Sequence, residues 1–339
     1  MGSTDFMSTS LEPYRAVDEA AAWIDRSARV RWDVSGPDAA KFLHNVTTND
    51  VKRLATGRGC EAFVTSLQGK TLAYVAIVAR SEGFLLRADA GGLDLARAHL
   101  QKYGVFDDVT MEDVSATTVE YHVAGPRAAE WLERAGGSAP EAGDPASTAT
   151  RAGDVDVLCI RESPTGRPGF TLIAPAADAP ALIEMMKNAD LAELTAEDFE
   201  ALRIEAGTPV FGREVTEKNL PQEIARDDRA ISFVKGCYLG QETVARLDAL
   251  GHVNKILKGL RFAPGDPTPS LGAALEADGK AVGTVSSAAF SPGWGAAVGL
   301  GIVRVAHAEP GTSLVWRRPE DGATFPASVA DPPMLPPRS

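Results

Sequence analysis

Cysteine is scarce in this sequence, and its spacing excludes several kinds of site. Of 339 residues only three are cysteines, namely Cys60, Cys159 and Cys237, and no two of them form a CxxC pair. Disulfide frameworks and zinc ribbons need paired cysteines, and a four-cysteine iron–sulfur cluster needs more thiols than this chain has. The pattern is typical of a reducing compartment, so we expect a cytoplasmic location.

Long apolar runs and excess positive charge are also missing. No segment approaches the roughly 18 uninterrupted apolar residues of a membrane-spanning helix, and the N-terminus lacks the basic and apolar segments of a signal peptide. The formal net charge is -12, which argues against binding nucleic acid or an anionic membrane through bulk electrostatics. We therefore expect neither a nucleic-acid partner nor a membrane partner.

The sequence does contain an internal repeat. Val30–Gly36 is typical of a strand, and Pro37–Leu43 of a helix with proline at its first position. The same strand, glycine-proline turn and helix return 89 residues later over Val119–Leu132. The repeat predicts two related α+β units, each a sheet covered by helices.

Turn residues divide the rest of the chain. The run over 136–153 is rich in Gly, Ala, Ser, Pro and Asp, and predicts a solvated loop. Short strands with turn signals between them predict a small β-barrel after Lys255. We therefore place the first unit at 11–115, the second at 116–252, the barrel at 253–332 and a proline-rich disordered tail at 333–339.

The most informative stretch is Lys235-Gly-Cys-Tyr-Leu-Gly-Gln-Glu-Thr-Val-Ala-Arg246. Cys237 lies just before a predicted helix, where free N–H groups and the Lys235 charge favour thiolate over thiol. Gly236 and Gly240 permit tight turns. An isolated cysteine is more often core filling, but these polar, glycine-bounded surroundings favour a reactive thiol. We assign no metal ligand from the sequence.

This motif carries a resemblance to a known family. Together with Leu202–Pro209 and Pro221–Glu223, it resembles the YgfZ family of iron–sulfur cluster assembly and repair proteins, relatives of the glycine cleavage T-protein, an aminomethyltransferase. The resemblance covers nearly the whole chain. It implies an α+β fold with two ferredoxin-like units and a C-terminal barrel in a three-domain ring around a folate-binding channel. It also implies tetrahydrofolate as a cofactor and iron–sulfur client or carrier proteins as partners.

Two departures from the T-protein pattern argue against aminomethyltransferase activity. T-proteins carry an Asp pair on the hairpin strand, where this chain has Leu72 and Ala73, which cannot do acid–base chemistry. They also carry a glutamate that meets the pterin edge, and here Arg167 stands in the corresponding turn. Arg203 and Glu205 match the family and are the folate-binding candidates. An ion pair that fixes a helix to the barrel is an equal alternative for these two.

The resemblance implies that Cys237 is the reactive residue, assisted by Lys235. Four further motif residues have either a supporting or a direct role: Tyr238, Gln241, Glu242 and Arg246. The function predicted first is a folate-linked factor for iron–sulfur cluster assembly or repair. The alternatives are a tetrahydrofolate-dependent one-carbon transferase or demethylase, and a binding module that kept the fold without its ligand.

Overall fold

The computed structural model describes residues 11–141, 143–250 and 253–337. The helices are α1 (Leu11–Glu19), α2 (Ala39–Val46), α3 (Asp94–Tyr103), α4 (Ala128–Arg134), α5 (Ala179–Asn188), α6 (Ala196–Ala206), α7 (Asp227–Ala230) and α8 (Gln241–Leu250). Within these ranges, no helix is both long enough and apolar enough to cross a membrane.

Three sheets are built from the strands. In chain order these are β1 (Ala22–Asp25), β2 (Val30–Ser35), β3 (Gly59–Thr65), β4 (Thr71–Arg80), β5 (Gly83–Ala88), β6 (Thr110–Asp113), β7 (Thr118–Ala124), β8 (Ala146–Ala152), β9 (Val155–Arg161), β10 (Gly169–Pro175), β11 (Ala192–Glu193), β12 (Lys255–Phe262), β13 (Ala274–Ala277), β14 (Lys280–Ser291), β15 (Ala296–Arg304), β16 (Ser313–Arg317) and β17 (Thr324–Ala330).

The first sheet has the order β3-β4-β5-β2-β6, with all neighbours antiparallel. Helices α2 and α3 cover one face, where Phe42 and Leu100 are buried among the strand side chains. The second sheet has the order β11-β1-β7-β10-β9-β8 and is covered by α4 and α5 through Trp131 and Leu182. The predicted repeat is confirmed, because β2–α2 and β7–α4 occupy equivalent places in two separate cores.

The third sheet is a closed barrel of β12-β15-β14-β13-β16-β17. The longest of its strands, β14, runs to Ser291, past a register irregularity between Val285 and Ser287. That extension matters because Ser287 and Ser291 contact helix α6, as described below. The predicted α+β fold class with a C-terminal barrel is confirmed.

Three local expectations differ from the structure. The predicted loop over 136–153 is wrong for 146–152, which form β8 at the edge of the second sheet. The first unit does not begin cleanly at residue 11, because β1 pairs with β7 and β11 of the second sheet. The tail is ordered at Met334, which is buried and whose amide donates to the Glu205 carbonyl at 2.6 Å. The predicted boundary between 252 and 253 falls beside residues 251–252, outside the described residues.

Candidate functional site

The motif loop lies between α7 and α8 and is fastened to the end of α2. The backbone N–H of Leu239 donates to the Asn45 carbonyl at 3.0 Å. The Thr65 hydroxyl donates to the Leu239 carbonyl at 2.5 Å, and the amide of Ser232 donates to the Thr48 carbonyl at 3.0 Å. These bonds hold the loop in one position against the first unit.

Lys235 is the central fastening of this loop. Its side chain is buried, and Nζ donates to the carbonyls of His44, Thr47 and Asn49 at 2.5, 2.6 and 2.8 Å. An ammonium has three N–H donors, so these carbonyls occupy all of them. They lie at the C-terminal end of α2, where a positive charge is favourable. Burial nevertheless lowers the Lys235 pKa to about 7.

Tyr238 and Gly240 complete the loop's structure. The Tyr238 ring is buried, and the Lys235 Nζ lies 4.7 Å from its centroid. Gly240 has φ of +81°, and a Cβ there would lie 2.3 Å from the Ser66 carbonyl oxygen in the turn between β3 and β4. Only glycine fits this close approach.

Cys237 differs from the other two cysteines, all three of which lie in the described residues. Cys60 and Cys159 are buried on β3 and β9, and burial raises the pKa of each thiol to about 12. Cys237 is exposed. It lines a cavity of about 460 Å³ whose other residues include Phe42, Asn45, Val46, Tyr103 and Asp107. The predicted reactive cysteine is therefore the one that solvent and partners can reach.

The remaining motif residues lie at the surface. Gly236, Glu242 and Arg246 are exposed, and Gln241 is half-buried at the start of α8. The helix is anchored instead by Gln222, whose side-chain N–H donates to the Val244 carbonyl at 2.7 Å. Because no side-chain hydrogen bond or ion pair within the described part of the chain fixes a role for these four residues, their supporting role stays a prediction.

Arg203 and Glu205 both join α6 to the barrel, but they do not pair with each other. Arg203 is 1% exposed and donates to Glu200, to Glu214 at 3.0 Å and to Ser287 at 2.5 Å. Glu205 is fully buried and accepts from Tyr14 and Ser291, each at 2.6 Å. Each residue matches the alternative of a structural contact between helix and barrel.

Arg167 completes the polar group around Glu205. Its Nη1 lies 3.0 Å from Glu205 Oε2, and its Nε lies 3.0 Å from Asp18 Oδ1. The arginine at this turn therefore neutralises the carboxylate that the family motif supplies on α6. Glu205 is not part of the lining of the central cavity, whereas Arg203 is.

The central cavity has a volume of about 320 Å³ and lies between the first sheet, the second sheet and α6. Its charged and aromatic lining residues are Arg26, Arg29, Glu61, Tyr74, Asp89, Asp144, Glu162, Phe199, Arg203, Arg226 and Arg229. Five arginines thus face four carboxylates. Most of these residues escaped the sequence analysis because they come from separate segments and form no local motif.

The best-defined group in this cavity is built on Glu61. Arg226 Nη2 lies 2.6 Å and Arg229 Nε 2.8 Å from its Oε1, and the Tyr74 hydroxyl donates to its Oε2. Burial raises the Glu61 pKa, but the two arginines outweigh it and the net shift is downward. Glu61 is consequently held as a carboxylate.

Tyr74 directly follows Leu72 and Ala73, the two residues that stand where T-proteins have an Asp pair. Leu72 and Ala73 pack into the core of the first unit, and Ala73 is fully buried there. Tyr74 is the residue of this stretch that faces the cavity. The hairpin strand therefore presents a phenol to the cavity and no carboxylate of its own.

Whether the cavity fits a folate can be tested against its unused polar atoms. Arg29 Nε is buried and has no hydrogen-bond partner in the described residues. Asp89, Asp144 and Glu162 carry acceptor oxygens of the kind that a pterin's N–H groups need, and the arginines suit a glutamate tail. Each of these carboxylates already contacts an arginine, namely Arg29, Arg229 and Arg87 respectively. The chemistry of the lining suits such a ligand, which would compete with these ion pairs. The described residues contain no group of three or more His, Cys, Asp or Glu side chains that could hold a metal ion.

A duplicated α+β body joined to a closed barrel around a charged cavity defines the class of T-protein-like folds. Comparison with known families agrees: residues 4–234 match the GCVT N-terminal domain, and residues 255–335 match the glycine cleavage T-protein C-terminal barrel domain. The chain belongs to the glycine cleavage T-protein family.

Relatives of the chain carry different functional names. It is 27% identical to an aminomethyltransferase of Halalkalibacterium halodurans, covering 91% of this chain and 85% of the relative. It is 32% identical to the human iron-sulfur cluster assembly factor IBA57, mitochondrial, covering 78% and 74%. The crystal structure of glycine cleavage system aminomethyltransferase T from Bartonella henselae superposes with a TM-score of 0.86 at 24% identity, covering 96% of this chain and 89% of that one. That structural likeness supports the fold alone.

Proposed function

We propose that this chain is a YgfZ-type factor for the assembly or repair of iron–sulfur clusters, with Cys237 as its reactive residue. The observation that carries the proposal is the exposure of Cys237 on a loop that is otherwise fastened by buried hydrogen bonds. A thiol held this way can meet a sulfur atom, or an iron–sulfur intermediate, presented by a client or carrier protein. The likeness to the human assembly factor supports the same reading.

The described residues offer no set of ligands for a resident cluster around this thiol. In this proposal the cluster is cargo that a partner protein carries, and Cys237 acts on it during a transient encounter. Lys235 contributes by holding the loop to α2. Three free cysteines suit a reducing compartment, which supports the cytoplasmic location as part of the proposal.

Tetrahydrofolate is the small molecule that we propose for the central cavity. Arg226 and Arg229 would hold its carboxylates, and Asp89 or Glu162 its ring N–H groups. A bound folate would supply a carrier for one-carbon units. Arg203 and Glu205 would act indirectly, by fixing α6 at the wall of the cavity, because each of them bonds from α6 to the barrel.

A complementation experiment tests the role of Cys237. In a strain that lacks its own factor of this family, the native chain should restore the activity of iron–sulfur enzymes, whereas Cys237→Ala should not. Cys60→Ala is the matched control, since Cys60 is buried and should tolerate the change with activity retained. Full restoration by Cys237→Ala would remove the proposed function.

A folate-dependent one-carbon transferase is the second candidate. It is favoured by the charged cavity and by the aminomethyltransferase relatives, and opposed by the apolar Leu72 and Ala73. Folate-dependent release of ammonia from an aminomethylated carrier protein would establish this candidate in place of the first. If no ammonia is released although tetrahydrofolate binds, the iron–sulfur assembly factor remains the better-supported function.

A further inference from the structure

A buried histidine stands directly beside the reactive loop. His44, in the last turn of α2, is 7% exposed. Its Nδ1 lies 3.2 Å from Asp50 Oδ1, a close contact in which neither atom has hydrogen-bond geometry. The negative charge of this carboxylate favours a proton on Nδ1, the nearer ring nitrogen, which leaves the lone pair of Nε2 to accept a proton.

The free edge of the ring faces the motif. A Cβ built on Gly236 would lie 3.7 Å from His44 Nε2, the nearest atom outside the neighbouring residues of the loop. Gly236 does not have a positive φ, so its backbone does not require glycine. The missing side chain instead leaves open the space between the imidazole and the residue that follows, Cys237.

Cys237 also lies beside the end of α2 that carries His44. The cavity beside Cys237 is lined by Asn45 and Val46, which directly follow His44. Since Cys237 is exposed, its Sγ can move between staggered rotamers toward or away from the ring. Asp50, His44 and Gly236 thus lie in succession, and the thiol-bearing residue comes directly after Gly236.

We propose that His44, oriented by Asp50, accepts the proton of the Cys237 thiol and so generates the thiolate that attacks a partner's sulfur–sulfur bond. This inference rests on the proposed role of Cys237. The order is that of other nucleophiles activated by an adjacent base that a third group holds in place.

The step balances within the protein and one co-reactant. The Cys237 S–H bond breaks and the proton moves to His44 Nε2. The thiolate then forms a new S–S bond while the partner's disulfide or persulfide S–S bond breaks. The departing thiolate takes the proton back from the imidazolium.

Charged groups around His44 set the pH range in which His44 can accept the proton. Burial, the Lys235 ammonium and Lys52 lower the His44 pKa, and Asp50 opposes them. His44 is therefore neutral at neutral pH and available as an acceptor. Asp50 is also 3.4 Å from Arg53, which is largely exposed.

The test is the rate at which the folded chain reacts with dithiobis(nitrobenzoate), an aromatic disulfide, from about pH 6 to pH 9. Only Cys237 is accessible among the three cysteines. His44→Asn keeps an N–H near Asp50 and removes Nε2. Since an unassisted cysteine is only a few per cent thiolate at pH 7, we expect this variant to react at least about tenfold more slowly there. His307→Ala, on the barrel, is the control and should react like the native chain.

Gly236→Ala provides an independent variant that leaves the histidine in place. Its methyl group would cover Nε2, so we expect a several-fold slower reaction at pH 7 with unchanged thermal unfolding. Rates within about twofold of native for His44→Asn across the pH range would overturn the inference. If His44→Asn fails to fold, an unchanged rate in Gly236→Ala overturns it. Failure here leaves the complementation result for Cys237→Ala untouched, so the two proposals fail separately.

Discussion

Lys235 makes the stability of this protein depend on pH in a direction that is unusual for a surface lysine. Its pKa falls from 10.5 in a free side chain to about 7 because the amine is buried. Between these values the unfolded chain binds a proton that the folded chain does not, so the free energy of unfolding rises with pH. The slope is about 1.4 kcal/mol for each pH unit.

The expected contribution from pH 7 to pH 9 is therefore about 2 to 3 kcal/mol. It should be measured by urea unfolding of the native chain and of Lys235→Met at both pH values. The difference in unfolding free energy between the two proteins isolates the lysine, because other titrating groups are shared. The difference should grow with pH and stop growing near pH 10.5, the upper end of the window.

If the difference in unfolding free energy between the native chain and Lys235→Met stays constant from pH 7 to pH 9, the reasoning is refuted. A constant difference would mean that the three carbonyl acceptors at the end of α2 compensate the charge fully. The variant should be less stable than the native chain at both pH values, since it leaves those carbonyls without their buried donor.

The remaining predictions concern the loop, the α6 contact and the central cavity. Gly240→Ala should lower the unfolding free energy by at least about 2 kcal/mol, because of the positive φ and the steric clash, whereas Gly236→Ala should change it by less than about 1 kcal/mol in the same urea experiment. Glu205→Gln should cost about 2 kcal/mol, because Arg167 loses its buried carboxylate and keeps only the more exposed Asp18, and an unchanged melting curve would contradict this. Arg229→Ala should weaken tetrahydrofolate binding at least about tenfold by calorimetry, while exposed Arg318→Ala should not, and equal affinities would place the ligand elsewhere.

Most of the fold was predictable because local sequence patterns indicate its helices and strands. The barrel strands are short apolar runs between turn residues, and the repeated strand–turn–helix unit has the same spacing twice. Strand β8 was missed since its sequence, Ala-Ser-Thr-Ala-Thr-Arg-Ala, has no apolar alternation. An edge strand with only one neighbour needs little apolar surface, so tertiary pairing decides its conformation.

The site was predictable in part for the same reason. The motif around Cys237 is contiguous, and its exposure agrees with the expectation of a reactive thiol. His44, Glu61 and Arg229 were missed because each is an ordinary polar residue until the fold brings it to the loop or the cavity. Arg203 and Glu205 were singled out as folate-binding candidates, which stays a prediction, and their partners on β14 and in the turn at Arg167 can be found only from the structure.

The measurement that tests the central claim most directly is the restoration of iron–sulfur enzyme activity by Cys237→Ser. Serine matches the shape of cysteine but is a far weaker nucleophile toward sulfur, so fold and folate cavity should remain while the reactive thiol is lost. We predict that this variant accumulates to native levels and restores little or no activity. Restoration equal to that of the native chain would contradict the account.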